Sequence, residues 1–141
     1  MARSVVDANV PIVARLERDQ DHDRGLELVR AFDHGELPRA VVTSDVLGEV
    51  CNYLAERAGH DVALETLDAI VESSGFEIQF TPKADLDAGR SLFRKYEELS
   101  LTDAVVVANM QRQDLEYLYS FDDDFDRVAG ITRLTTPHGP S

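Results

Sequence analysis

Short apolar segments alternate along this chain with longer segments in which apolar residues recur at helical spacing. The short segments are rich in β-branched and aromatic residues and lie at 4–6, 40–43, 76–80, 117–121 and, more weakly, 131–134. Helical spacing covers 10–18, 24–33, 46–54, 62–71, 86–99 and the apolar run 104–110. Strands joined by helices of this length form crossover units. The pattern therefore predicts an α/β fold, with a central, mainly parallel sheet in a three-layer α/β/α arrangement.

The length of 141 residues and the apolar share of 43% suit one domain with its own core. We predict a single domain over residues 1–135 and a flexible tail over 136–141, where turn-forming residues replace the apolar pattern. No apolar run approaches the ~20 residues needed to cross a bilayer. The first residues also lack the apolar core of a signal peptide, so we expect a cytoplasmic protein without membrane contact.

Acidic residues outnumber basic residues by 27 to 14, which gives a formal net charge of −13. A charge of this sign argues against binding nucleic acid through a broad basic face. Lys83 and Lys95 are the only lysines, and such a shortage beside an acid surplus is typical of proteins from salt-loving organisms. At 1 M salt the Debye length is only about 3 Å, so repulsion among the carboxylates is largely screened. The acidic surface then reflects habitat and does not exclude a nucleic-acid substrate.

The single cysteine, Cys51, excludes an intramolecular disulfide and a cysteine-based zinc site. It lies on a helical apolar stripe, which indicates packing rather than catalysis. The four histidines show no metal-ligand spacing. Carboxylates are therefore the main candidates for chemistry in this sequence.

Acidic residues follow two predicted strands and begin two predicted helices, close to the edge at which an open α/β sheet binds ligands. Asp7 comes directly after the first strand, Glu49 lies one turn into the helix after the second, and Asp103 opens the buried helix. The fourth group follows the fourth strand and comprises Asp122, Asp123, Asp124 and Asp126. Each group also has a structural interpretation. Asp7 suits a turn and Glu49 suits a solvated helix face. Asp103 suits a helix cap together with Ser100, and the last group suits a solvated acidic loop.

Carboxylates that gather without lysine or arginine partners form a site for hard cations such as Mg²⁺ or Mn²⁺. Two such ions can activate water and stabilise the leaving oxygen of a phosphodiester. The sequence therefore favours metal-dependent phosphodiester chemistry at this edge of the sheet.

The four acidic segments, taken in order, resemble the PIN domain and, within it, the VapC-type toxins of toxin–antitoxin pairs. The segments are 5–10, 42–50, 99–105 and 118–125, and together they span about 120 of the 141 residues. The resemblance implies a PIN-like fold and a metal-dependent endoribonuclease. It also implies that a metal-activated water hydrolyses the RNA phosphodiester and leaves a 5′ phosphate and a 3′ hydroxyl.

Position by position, the resemblance implies that four acids bind Mg²⁺ or Mn²⁺ and carry catalysis: Asp7, Glu49, Asp103 and Asp122. Asp124 is the reserve choice beside the last of these. Asn9 and Ser120 are expected to orient the acids through hydrogen bonds; the family often has Thr at the second position, and the hydroxyl is retained. The implied partners are an RNA substrate, a small cognate antitoxin and a second copy of the chain in a homodimer. With the acidic composition, the resemblance predicts a halophilic archaeal source.

Other proteins with acidic pockets fit the sequence less well. A phosphoacceptor receiver domain requires a lysine after a later strand, whereas Lys83 and Lys95 both lie near the helical segment 86–99. A haloacid-dehalogenase-type phosphatase needs a second Asp two residues after its nucleophile, where this chain has Asn9. Two alternatives stay open: a PIN-domain nuclease of RNA maturation, and a catalytically silent PIN-like module that binds RNA or protein.

Overall fold

Five parallel strands form the centre of the molecule in the computed structural model, which describes residues 3–138. They are β1 (Ser4–Val6), β2 (Ala40–Thr43), β3 (Phe76–Gln79), β4 (Tyr117–Tyr119) and β5 (Thr132–Leu134). Their order across the sheet is β3-β2-β1-β4-β5, and every neighbouring pair is parallel. All five predicted strand segments and the parallel arrangement are confirmed.

Helices connect the strands and flank the sheet, as the α/β prediction requires. Within the described residues they are α1 (Asn9–Val13), α2 (His22–Asp33), α3 (Ser44–Arg57), α4 (His60–Glu72), α5 (Lys83–Lys95) and α6 (Leu101–Gln113). A short 3₁₀ helix (Asp123–Arg127) lies between β4 and β5. Parallel neighbours need such crossover connections because the chain must return to the same end of the sheet before each strand.

The first helix is shorter than predicted. Its apolar spacing predicts a helix over 10–18, but α1 ends at Val13. Beyond that point the N–H of Arg15 donates to the carbonyl of Ile12 at 3.0 Å, and the N–H of Leu16 donates to the carbonyl of Val13 at 3.1 Å. These three-residue steps are 3₁₀-type turns, which wind more tightly than an α-helix. The chain therefore leaves the helix while Leu16 still packs against the core.

The helical segment predicted over 86–99 also ends early, because α5 stops at Lys95. Leu99, only 2% exposed, fills the core from the connection between α5 and α6. The apolar spacing therefore predicted the burial of Leu99 correctly, although Leu99 does not lie in the helix.

The core lies on both faces of the sheet. Every residue of β1 and β2 is buried, as expected for central strands that helices cover on both sides. The ring of Phe32 on α2 packs against those of Phe76 and Tyr119, with centroids 5.5 and 5.0 Å apart. The predicted buried helix is confirmed, since α6 has an unbroken buried run over 104–110. A helix enclosed in this way gives its first turn a fixed position at the sheet edge.

An ion pair between a buried aspartate and a half-exposed arginine holds α5 against α6. Asp85 is 1% exposed and accepts hydrogen bonds from Arg112 Nε at 2.7 Å and Nη2 at 3.1 Å. Asn109 Nδ2 donates to the same carboxylate at 3.3 Å. The helices also approach closely at Gly89, where a Cβ would lie 2.7 Å from Val105 Cγ2. This polar contact lies at the end of α6 opposite Asp103.

None of the helices in residues 3–138 combines the length and apolar character needed to cross a membrane. The cytoplasmic location stays a prediction. So do the single domain over residues 1–135 and the flexible tail over 136–141, of which 139–141 lie outside the described residues.

We expect the fold to depend on high salt because its 27 acidic residues repel one another. The Debye length grows from about 3 Å at 1 M salt to about 10 Å at 0.1 M, so dilution restores this repulsion. Lowering KCl from about 1 M to about 0.05 M should therefore reduce the far-UV circular dichroism signal. Sucrose at matched osmolality is the control, since it does not screen charge. A spectrum that stays constant across the salt range would contradict the prediction.

Candidate active site

A cavity of about 310 Å³ opens at the carboxyl-terminal edge of β1 and β4. The four acids singled out in the sequence all line it. Asp7 follows β1, Glu49 lies on α3, Asp103 lies in the first turn of α6, and Asp122 follows β4. Residues far apart in the sequence meet because parallel strands end at the same edge of a sheet. We call these four carboxylates the acidic pocket.

Asp7 is buried in the acidic pocket, with only 4% of its surface exposed. Its N–H donates to the carbonyl of Tyr119 at 3.0 Å and so continues the sheet. Its Oδ1 accepts from the N–H of Ala8 at 2.8 Å, and its Oδ2 accepts from Asn9 Nδ2 at 3.1 Å and Ser120 Oγ at 2.8 Å. All three donors are uncharged, so the carboxylate is held in place without being neutralised. Its Oδ1 keeps one lone pair free of these contacts.

The two polar residues predicted to orient the acids form one hydrogen-bond network across the ends of β1 and β4. Asn9 Nδ2 lies 3.2 Å from Ser120 Oγ, and Asn9 Oδ1 accepts from the N–H of Phe121 at 3.1 Å. Ser120 Oγ in turn accepts from the N–H of Asp122 at 3.0 Å. The network therefore ties the Asp7 carboxylate to the backbone that carries Asp122.

Glu49 and Asp103 enter the pocket from the early turns of their helices, where hydroxyl groups act as the caps. Thr43 Oγ1 accepts from the N–H of Val46 at 3.3 Å at the start of α3. Ser100 Oγ accepts from the N–H of Asp103 at 3.1 Å at the start of α6. A capping hydroxyl satisfies N–H groups that would otherwise need another acceptor. Ser100 thus caps α6, as the capping-box spacing predicts, and the Asp103 carboxylate also lines the cavity.

Burial and mutual repulsion raise the pKa values of the pocket carboxyls. The pKa of Asp7 rises to about 6 because burial outweighs the hydrogen bonds from Ser120 and the backbone; nearby carboxylates add to the shift. The pKa of Asp103 rises to about 7, first through burial and then through the charges of Asp7 and Asp122. Loss of surrounding water also raises the pKa of Glu49. A site in which carboxylates oppose one another's ionisation favours a bound positive charge.

The acidic loop after β4 contains residues with different surroundings. Asp122 lines the cavity, and its Oδ1 accepts from the N–H of Asp124 at 3.0 Å. Asp124, the reserve choice, does not line the cavity, and its pKa is raised chiefly by the charge of Asp122. Asp126 accepts from Arg133 at both oxygens, at 2.9 and 3.0 Å. In the described chain, Asp122, Asp123 and Asp124 are the one group of three acids whose candidate ligand atoms all lie within 4.8 Å of one another. Of these three, Asp122 is the one that lines the cavity.

The acidic pocket suits a hard divalent cation. Within residues 3–138, none of its four carboxylates forms an ion pair with arginine, lysine or histidine. A buried carboxylate that ionises without a cationic partner is costly. Oxygen-rich sites of this kind are those in which Mg²⁺ and Mn²⁺ bind. The residues present therefore fit the group that the resemblance implies.

The cavity also contains residues that the pattern of acids does not indicate. Asp19 and Tyr53 line it, together with three apolar residues: Ile12, Val13 and Leu16. Tyr53 follows Glu49 by four residues and so shares its helix face, a signal that the sequence does carry. Asp19 lies in the turns beyond α1, where helical spacing gives no guide.

The sequence matches the family model of the PIN domain over residues 4–131. Ribonuclease VapC13 of Mycobacterium tuberculosis and a VapC ribonuclease of Mycobacterium bovis are each 32% identical to this chain over 133 residues, which cover 92% of this chain and 98% of theirs.

Solved structures with a similar fold include VapC20 of M. tuberculosis, a toxin that cleaves the sarcin–ricin loop. It has a TM-score of 0.76 at 22% identity and covers 90% of this chain and 95% of its own. A toxin–antitoxin complex from Klebsiella pneumoniae has a TM-score of 0.63 at 18% identity, covering 96% and 98% of the two chains. VapBC2 of Rickettsia felis, bound to a fragment of its promoter DNA, has a TM-score of 0.68 at 15% identity, covering 94% and 97%.

Proposed function

Because this chain belongs to the PIN domain family, and to the VapC ribonucleases within it, we propose that the acidic pocket is the active site of a metal-dependent endoribonuclease. One observation carries the proposal: carboxylates from four separate elements line one cavity and lack a cationic partner within the described residues. The VapC ribonuclease relatives, together with the toxins of similar fold, favour the toxin of a toxin–antitoxin pair over a nuclease of RNA maturation.

Four residues are the proposed ligands of Mg²⁺ or Mn²⁺: Asp7, Glu49, Asp103 and Asp122. Asp124 remains the reserve choice beside the last of these. The cation, when bound, supplies a water of lowered pKa and stabilises negative charge on the phosphate. Asn9 and Ser120 hold the Asp7 carboxylate in one orientation, so that no rearrangement is needed when charge develops on the substrate.

The proposed reaction is hydrolysis at phosphorus. The oxygen of a water molecule forms a bond to phosphorus while the bond from phosphorus to the 3′ oxygen breaks. The water loses a proton and the leaving 3′ oxygen gains one, which yields a 5′ phosphate and a 3′ hydroxyl. No side chain becomes covalently attached to the RNA.

The ends of the RNA fragments test this reaction. Incubation of a structured RNA with the protein and Mg²⁺ or Mn²⁺ should release fragments that carry 5′ phosphates. An exonuclease that requires a 5′ phosphate should then degrade them without prior treatment by a kinase. Fragments with 5′ hydroxyl and 2′,3′-cyclic phosphate ends would instead mean that the RNA's own 2′ hydroxyl attacks, and would overturn the proposal.

The acidic pocket also suggests how an antitoxin would inhibit the nuclease. We propose that a segment of the antitoxin brings an arginine into the pocket, where its guanidinium pairs with carboxylates and displaces the cation.

A homodimer is proposed as well, because α5 leaves Leu86 and Phe93 exposed at positions seven residues apart on one face. A single domain over residues 1–135 and a cytoplasmic location complete the proposal.

A further inference from the structure

Tyr53 and Arg57 form a stacked pair beside the acidic pocket. Tyr53 lines the same cavity as the four carboxylates and is 36% exposed. The guanidinium carbon of Arg57 lies 5.0 Å from the centroid of the Tyr53 ring. The contact is a cation–π interaction, which holds the ring in a defined orientation while part of it stays open to solvent.

The pair continues a line of side chains that starts in the acidic pocket. Glu49, Tyr53 and Arg57 are spaced four residues apart on α3, so their side chains follow one another along one face of the helix. Arg57 lies one turn beyond Tyr53, on the side away from Glu49. A strand of RNA that reaches the carboxylates along this face would therefore pass the aromatic ring next and a positive charge after it.

The contact of Arg57 with the Tyr53 ring leaves its charge without a carboxylate partner in the part of the chain that the structure describes. Acids outnumber bases by 27 to 14, yet within residues 3–138 Arg57 has no ion pair with a carboxylate. Its charge is therefore not cancelled by a direct partner, and the donors of its guanidinium are free to meet a phosphate oxygen.

The cavity that Tyr53 lines is partly apolar as well as acidic. Ile12, Val13 and Leu16 line it together with the ring, and the first two are only 7% and 6% exposed. A nucleobase has apolar faces and a polar edge, and it stacks on tyrosine when it is unpaired and turned out of a helix. The apolar side chains suit those faces, and the carboxylates of the acidic pocket line the same cavity.

We propose that Tyr53, with Arg57 behind it, is the stacking platform for an unpaired RNA base next to the scissile phosphate, and that Arg57 contacts a neighbouring phosphate. This inference rests on the proposed ribonuclease function. It makes the substrate single-stranded or looped RNA at the cleavage site, and it gives Tyr53 a part in substrate binding and none in the chemical step.

Steady-state kinetics of the Tyr53→Ala variant test the inference. Stacking on an aromatic side chain contributes enough that its loss should raise KM between about fivefold and 150-fold. The value of kcat should change by less than about twofold, because the interaction is made equally in the bound substrate and the transition state. Tyr53→Phe keeps the ring and should have the KM of the wild type. Tyr117→Ala removes a tyrosine of similar exposure, 39%, that does not line the cavity, and is the matched control.

A binding measurement provides a readout that does not depend on cleavage. A single-stranded RNA carrying 2-aminopurine loses fluorescence when that base stacks on a ring. The Asp103→Asn background is expected to slow hydrolysis strongly, so binding of this RNA should quench the probe before it is cleaved. Adding Tyr53→Ala should remove the quenching, whereas adding Tyr53→Phe or Tyr117→Ala should preserve it.

The outcomes separate this inference from the proposed function. Wild-type cleavage with an unchanged KM and unchanged quenching in Tyr53→Ala would overturn the stacking platform and leave the ribonuclease intact. Weaker binding of an antitoxin with no change in KM would also overturn it, since Tyr53 would then serve a protein partner. A wild-type protein that cleaves no RNA would overturn the proposed function, and the quenching assay would still decide whether Tyr53 stacks on a base.

Discussion

Replacing Asp103 with asparagine is expected to lower the rate of RNA cleavage by more than about a hundredfold, since even outer-shell changes at metal sites cost about 10- to 100-fold. The same variant, freed of metal, should be as stable as the wild type or more stable. The pKa of Asp103 is raised to about 7 by burial and by the charges of Asp7 and Asp122. Asparagine has nearly the same shape and no charge, so repulsion within the acidic pocket falls.

The two interpretations of Asp103 make different forecasts for this variant. A residue that only supports the helix start should cost at most about 1 kcal/mol of stability when replaced and leave cleavage intact. The N–H of residue 103 donates to Ser100 Oγ, and that bond survives the substitution. Loss of cleavage without loss of stability would therefore assign the carboxylate to the reaction.

Asp7→Asn should abolish cleavage to a similar extent but also destabilise the protein. The Asp7 carboxylate accepts from three donors, two of them at Oδ2. An amide nitrogen at that position would face Asn9 Nδ2 and Ser120 Oγ, and a buried polar group without its partner costs roughly 1–3 kcal/mol. Relief of charge repulsion offsets part of this cost. The Asp7→Asn and Asp103→Asn variants should thus lose cleavage to a similar extent, while only Asp7→Asn loses stability.

Cleavage of a structured RNA with Mg²⁺ or Mn²⁺, with and without chelator, measures these effects beside thermal melting of each variant. Chelator should abolish wild-type cleavage. Asp123→Asn and Asp126→Asn are the controls and should retain activity, because neither residue lines the cavity and Asp126 is paired with Arg133. Full cleavage by Asp103→Asn or Asp7→Asn, or wild-type cleavage that ignores chelator, would refute the assignment.

Much of the fold could be predicted because hydrophobic periodicity reflects burial directly. The central strands are apolar throughout, and the buried run in α6 leaves little choice of environment. The gathering of the acids followed from topology, since residues after parallel strands share one edge. The end of α1 at Val13 could not be predicted, because Leu16 is apolar and packs on the core whether or not it is helical. A buried apolar residue just beyond the end of a helix can keep the helical spacing, so the spacing does not show where the helix ends.

Contacts between distant polar residues also lay beyond the reach of the sequence. Asp85 reads as an ordinary polar position near the start of a helix, and its burial depends on Arg112 lying opposite it on α6. The network of Asn9 and Ser120 was reached only through the resemblance, because no local spacing relates the two residues. Side-chain pairing of this kind is set by how elements pack, which hydrophobic periodicity does not encode.

The metal-free protein is expected to lose stability as the pH rises from about 4 to about 8. The pKa of Asp7 in the folded protein is about 6, against an ordinary value of 3.8, and that of Asp103 is about 7. Between the ordinary and the folded values the native state binds more protons than the unfolded state, so stability falls with rising pH. The stability is fully present below about pH 4 and is lost through the folded values near 6 and 7. For Asp7 alone the change corresponds to roughly 3 kcal/mol.

A divalent cation should reverse this loss, because it binds ionised carboxylates in the folded protein. At a hundred times its Kd, Mn²⁺ would add about 2.7 kcal/mol at pH values where Asp7 and Asp103 are ionised, and less near pH 5, which lies below the pKa values of both carboxyls. Melting temperatures at molar KCl, with chelator or Mn²⁺, measure both effects while the salt screens repulsion elsewhere on the surface. Asp103→Asn should flatten the pH dependence of the chelated protein, whereas Asp123→Asn should keep it. A chelated wild-type protein that melts at the same or a higher temperature at pH 8 than at pH 5 would contradict the prediction. It would mean that ionisation of the pocket carboxyls does not destabilise the metal-free protein.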